Sequence, residues 1–135
     1  MASTMLGFAP NTVLNVGSKS VMLMRGDNDG VIAASRVRYG AEGQSQDPVE
    51  KTFDEACQPS AGEEAYDVLL QGANHFAIAH PLDETTGRFF LDMEMTRPED
   101  EIRNEIAGLV KSFIDKHVRG QPLELQTQHA VIRKK

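Results

Sequence analysis

The chain has 135 residues, 40% of them apolar and 25% charged, with 20 acidic against 14 basic side chains and a net charge of −6. This is one domain's worth of ordinary globular composition, and the acidic balance argues against a nucleic-acid or anionic-membrane surface. No apolar run approaches the roughly 20 residues that span a bilayer, and the single cysteine, Cys57, cannot form an internal disulfide.

Residues 1–18 read as a connector with a short helical turn. They lack a basic stretch followed by an apolar core, so no secretory signal is expected and the cytoplasm is the default compartment. Residues 19–24 then carry the run Val21-Met22-Leu23-Met24, too short for a helix and apolar on successive positions. Such a run suits a strand covered on both faces. Gly26 and Gly30 bracket Asp27-Asn28-Asp29, which lets the chain turn tightly and present a carboxylate just beyond the strand's carboxyl end. In open α/β sheets chemistry is usually placed there.

Residues 33–39 suit a short helix stopped by Gly40, and residues 41–46 a loop. Asp47-Pro48-Val49-Glu50 opens a second helix, with Asp47 as cap, Pro48 in the first turn and Glu50 spaced for a capping box. Val49, Phe53, Ala56 and Cys57 recur at helical spacing and should face the sheet. A second strand at residues 65–70 ends at Gly72 and delivers Ala73-Asn74-His75-Phe76 to the same kind of position as Asp29. Residues 77–95 form a connection long enough for a lid or an insertion. Phe89, Phe90 and Met93 within it read as core or interface.

The last helix begins at Thr96-Arg97-Pro98-Glu99, a capping-box pattern, with Glu99, Asp100 and Glu101 in the turn where the helix dipole favours acids. Ile102, Ile106, Leu109, Val110, Phe113, Ile114 and Val118 form one apolar stripe, and Gly120 and Pro122 mark the stop. Residues 121–135 alternate only weakly and read either as a stray edge strand or as a disordered tail.

Two residues carry the chemistry. A histidine that accepts a proton in mid-reaction needs an oriented carboxylate beside it. Neighbouring parallel strands lie about 5 Å apart, so Asp29 and His75 can meet although distant in sequence. Alone, each is a turn or strand-capping residue; together they form a pair. Asp27 is left to cap the turn or to pair with Arg25 or Arg36. A calcium loop is rejected, because Arg25 and Arg36 would stand where acidic ligands are required. His80, His117 and His129 have no ligand-like spacing with Cys57, and neither a metal nor a cofactor is expected.

Gly26-Asp27-Asn28-Asp29-Gly30, Gly72-Ala73-Asn74-His75-Phe76 and the helix after Thr96, in that order, resemble the carboxy-terminal portion of the α/β-hydrolase superfamily. The nearest likeness is to dienelactone-hydrolase-like enzymes, lipases and polyester hydrolases. The resemblance covers residues 19–120. It implies an α/β fold with a small, mainly parallel sheet flanked by helices, Asp29 as the triad acid and His75 as the base. It also implies hydrolysis of small carboxylic esters through an acyl-enzyme.

The pattern is broken at its centre. No Gly-x-Ser-x-Gly elbow occurs: Gly17-Ser18-Lys19-Ser20 lacks the second glycine, Ser45 follows the acid, and Cys57 has no elbow. Losing the nucleophile of such a triad costs roughly 10^6 in turnover, so the chain alone should be a poor hydrolase, and the serine would come from sequence outside it. The other reading is a non-catalytic α/β module that binds a partner, or itself, through an exposed sheet edge.

Overall fold

The computed structural model describes residues 17–39, 47–81, 92–122 and 124–135, and the side chains of that set apart from residues 36–39. The connector before residue 17, the 41–46 loop and Phe89 and Phe90 lie outside the described residues, as does the side chain of Arg36. The elements run β1 (Val21–Gly26), α1 (Gly30–Tyr39), α2 (Pro48–Ala56), β2 (Ala65–Leu70), α3 (Glu99–His117) and β3 (Ala130–Lys134).

The three strands form one sheet in the order β1-β2-β3. Parallel pairing joins β1 to β2, with Val21 opposite Ala65 and Gly26 opposite Leu70. Antiparallel pairing joins β2 to β3, from Tyr66 opposite Lys134 to Leu70 opposite Ala130. The sheet is therefore mixed rather than mainly parallel, with one ladder of each kind. The difference comes from the tail: of its two readings, the structure has the strand. β3 returns along β2, and Lys135 extends the pairing by exchanging backbone bonds with Ala65 at 3.0 and 3.1 Å.

Alternation along each strand sorts the side chains onto two faces. Tyr66, Val68 and Leu70 of β2 bury against Ile102, Ile106 and Leu109 of α3, with Met22, Met24, Ala130 and Ile132 packed alongside. On the other face Leu23 and Ala65 bury against Ile32 of α1 and Val49, Phe53 and Cys57 on α2. Helices thus cover both faces, as the unbroken apolar run of β1 requires. Burial of each such side chain stabilises the fold by about 1.5–3 kcal/mol.

Asp47 caps α2, its Oδ1 accepting from Val49 N at 2.8 Å and Glu50 N at 3.3 Å. Glu50 does not reach back to close a capping box; its carboxylate accepts instead from Arg25 Nη2 at 2.9 Å. Arg25, 7% exposed, is the ionic centre of this face. It donates through Nε and Nη2 to both oxygens of Asp67, at 3.2 and 3.1 Å, and through Nη1 to Asp47 at 3.1 Å. Desolvation works against its charge, but the surrounding carboxylates outweigh it and raise its hold on the proton. A surface pair with Asp27 is therefore ruled out: Arg25 points inward among three other acids. Asp67 is shared with Arg133 at 3.5 Å, whose guanidinium lies 5.0 Å over the Phe53 ring.

The Thr96 capping box also fails to form. Pro98 holds the cap position of α3 and no side chain caps it, because Thr96 sits two residues too early. Its N–H bonds Gly72 O at 3.0 Å instead. The apolar stripe of α3 is buried at Ile102, Ile106 and Leu109 and then drifts outward, leaving Ile114 39% and Val118 75% exposed. Beneath that end Asp115 is buried and receives Lys111 and Arg119, one turn to either side.

At the amino end of β2, Glu64 ties three elements together. Its carboxylate accepts from Tyr66 of β2 and Lys134 of β3, and from Lys116 of α3 at 2.9 Å. Burial alone would raise its pKa, but the bonds from Lys134, Tyr66 and Lys116 lower it to about 2 from an ordinary 4.5. The folded value lies below the unfolded one, so this contribution is complete above about pH 4.5 and is lost as pH falls toward about 2. Urea midpoints measured from pH 7 down to 2.5 should fall more steeply in the wild type than in Glu64→Gln. Equal slopes would show that the cluster does not stabilise the fold.

Candidate functional site

The two loops that follow β1 and β2 lie side by side at the carboxyl end of the parallel pair. Their contact is unusually close at Gly26, where a Cβ would stand 1.9 Å from Ala73 O. Glycine is needed there for space rather than for its dihedrals. Past that point Asp27 N bonds Leu70 O at 3.1 Å, Asn28 N bonds Ala73 O at 3.0 Å, and Asp27 Oδ1 accepts from Gly72 N at 2.7 Å. Asp27 therefore fastens one loop to the other. Gly72 has φ +73° and packs against Arg97 and Thr96, a second place where a side chain would be refused.

Asp29 and His75, separated by 46 residues in sequence, are brought together. His75 Nδ1 lies 2.9 Å from Asp29 Oδ2, with the Asp29 side chain 4% and the His75 side chain 20% exposed. A carboxylate oxygen only accepts, so Nδ1 is the donor in this bond, and in a neutral imidazole that leaves the lone pair on Nε2. The other oxygen, Asp29 Oδ1, accepts from Ile32 N at 2.8 Å and so serves the first turn of α1. Asp29 is thus both a helix cap and a partner for His75. Phe76 packs edge-on to the imidazole at 5.4 Å between centroids.

Among the described residues no serine, threonine or cysteine bonds His75. Ser35 Oγ is turned back to Ile32 O, and Ser20 lies at the far end of β1, bonded to Glu63. Cys57 is fully buried against the α2 face, where burial pushes its thiol pKa up, the opposite of what a nucleophile needs. The chemistry this arrangement can perform is proton transfer at a part-buried imidazole backed by a buried carboxylate. An open groove of about 520 Å³ runs along α3 past Ile78, Ile106, Val110 and Ile114, but neither Asp29 nor His75 lines it. Among the described residues no three His, Cys, Asp or Glu side chains converge as a metal site, and no helix is long and apolar enough to cross a membrane.

Sequence reasoning missed the segment 92–96, which clasps both loops. Asp92 Oδ1 accepts from Gly30 N at 2.7 Å and Met93 N at 3.0 Å, while Oδ2 accepts from His75 N at 2.7 Å. Asn74 Nδ2 donates to Met93 O at 2.8 Å and Asn28 Nδ2 to Glu94 O at 3.1 Å. No periodicity marks this segment; the available signal was its place in a long connection carrying several acids after the histidine. Set against family models, curated proteins and solved structures, the chain matches none of them.

Proposed function

We propose that this chain supplies the acid and base of a serine-hydrolase-type triad acting on small carboxylic esters, with the nucleophile coming from sequence outside it. The observation that carries the reading is the 2.9 Å bond from His75 Nδ1 to the buried Asp29 carboxylate. It fixes the imidazole's orientation and leaves Nε2 as the basic nitrogen, the division of labour that a general base for acyl transfer needs. The resemblance to the carboxy-terminal portion of the α/β-hydrolase superfamily supports the same assignment. So does the position of both residues beyond the carboxyl ends of paired parallel strands.

The test is hydrolysis of 4-nitrophenyl acetate by the chain at pH 8. Without an elbow serine the rate is small, but an oriented imidazole still acts on an activated ester. His75→Ala should remove the excess over background. An excess over background that survives His75→Ala overturns the reading. A second reading, an interaction module, draws on the outer edge of β1, which pairs with no other strand among the described residues. Absent turnover together with a concentration-dependent dimer in sedimentation would favour it.

A further inference from the structure

We infer that Asp92 is a positioning residue whose carboxylate sets the distance between Asp29 and His75. The inference rests on the acid–base reading of that pair. Apart from the Asp29–His75 pair itself, the direct bonds between the two loops stop at Asn28 on one side and Ala73 on the other. Beyond them the loops diverge, one entering α1 at Gly30 and the other turning at residues 75–78. Asp92 bridges that gap. One oxygen holds the amide of Gly30, the residue after Asp29; the other holds the amide of His75 itself. Each member of the pair is therefore anchored through its own or its neighbour's backbone to one carboxylate.

The bridge also bears on how Asp29 is used. The first amides of a helix have no partner within it, and α1 presents Gly30 N at its start. Asp92 takes that amide, while Asp29 uses Oδ1 for the turn, at Ile32 N, and Oδ2 for His75. With Asp92 removed, Gly30 N loses its acceptor and the start of α1 is no longer tied to the amide of His75. Bonds between an ionised acceptor and amide donors are about twice as strong as neutral ones, so the bridge is stiff enough to hold register. Both oxygens of Asp92 are occupied by amides and none of its bonds reaches the imidazole ring. Asp92 therefore acts through His75 and Asp29 and is not itself catalytic.

The experiment is NMR of the 15N-labelled full chain, following the His75 ring nitrogens and the Nδ1 proton, with far-ultraviolet circular dichroism as a check on the fold. The wild type should show a protected, downfield Nδ1 proton and an Nε2 shift typical of an unprotonated nitrogen. In Asp92→Ala the chain stays folded, exchange of the Nδ1 proton quickens at least tenfold and the ring nitrogens move toward averaged tautomers. Asp92→Asn has one acceptor oxygen left for two loops and should lie between. Any residual ester turnover should fall in kcat with KM unchanged.

If the wild type lacks the signature, the Asp29–His75 reading itself fails. If the wild type has it and both variants keep it unaltered, the positioning role fails while that reading stands. Loss of the fold in both variants also overturns the inference, since Asp92 would then be a general structural residue.

Discussion

Arg25→Ala is expected to lower stability by about 3–5 kcal/mol, the range for removing one partner from a buried ionic cluster. The substitution leaves Asp67, 1% exposed, and Asp47, 8% exposed, facing each other without the guanidinium that bridged them. Arg133 still reaches Asp67, but at 3.5 Å and from an exposed position, so it recovers a small part of the loss. Since a domain of this size has about 5–15 kcal/mol in all, the loss is a large fraction of the total. A paired replacement separates charge from packing. Arg25→Met with Asp67→Leu removes both charges of the strongest contact and should be less damaging than Arg25→Ala, because the charge of Asp67 goes with that of Arg25 and Asp47 keeps its bonds to Val49 N and Glu50 N. Chemical denaturation of both variants checks this. An Arg25→Ala midpoint within about 0.5 kcal/mol of wild type would mean the cluster is solvated rather than buried.

Gly26→Ala is the smallest change with an effect of comparable size. A methyl at this position would sit 1.9 Å from Ala73 O and 2.5 Å from Ala73 C. Both are backbone atoms, so no side-chain rotation relieves the clash. The strands must separate by more than an ångström at the point where the two loops cross, breaking the bonds of Asn28 N to Ala73 O and Gly72 N to Asp27. The expected cost is about 3 kcal/mol or more, the upper range for overpacking. The Asp29–His75 distance should lengthen with it. The measurement is the thermal midpoint together with the His75 Nδ1 proton signal; a variant with wild-type stability would contradict the close approach described above.

The helical and strand segments were legible where one side chain type repeats. The apolar run of β1, the α2 face and the Ile102–Ile106–Leu109 half of α3 are periodic, and periodicity survives whatever the neighbours are. The juxtaposition of Asp29 and His75 was also legible, since two strands ending in glycine turns imply two neighbouring loops. What was not legible depends on partners far off in sequence. Arg25 beside an apolar run looks like the end of a strand, and its three carboxylates lie 22, 25 and 42 residues away. Asp92 finds its amides 17 and 62 residues away, with no motif around it. Thr96 matched a capping pattern and was diverted by a tertiary bond to Gly72. Asp115 had a local signal, Lys111 and Arg119 at four residues either side, but a lone acid beside an apolar stripe reads as surface. The return of the tail as β3 rested on weak alternation, and pairing with β2 decided it.

Having β2 in the middle of the sheet also has a consequence for biosynthesis. Neither of its neighbours is local: β1 precedes it across two helices, and β3 follows about sixty residues after Leu70, counting to Ala130. Among the described strands there is no hairpin to form early, and their pairing is long-range in sequence. On a ribosome adding about 5–20 residues per second, the β3-facing edge of β2 stays uncovered for about 3–12 s after the strand itself has been made. Until His117 has been made Tyr66, Val68 and Leu70 lack α3, and throughout the interval the amides on that edge of the strand lack a ladder. The nascent chain therefore passes through a stage with a bare, apolar strand edge, and slower translation past Leu70 would lengthen its exposure to aggregation.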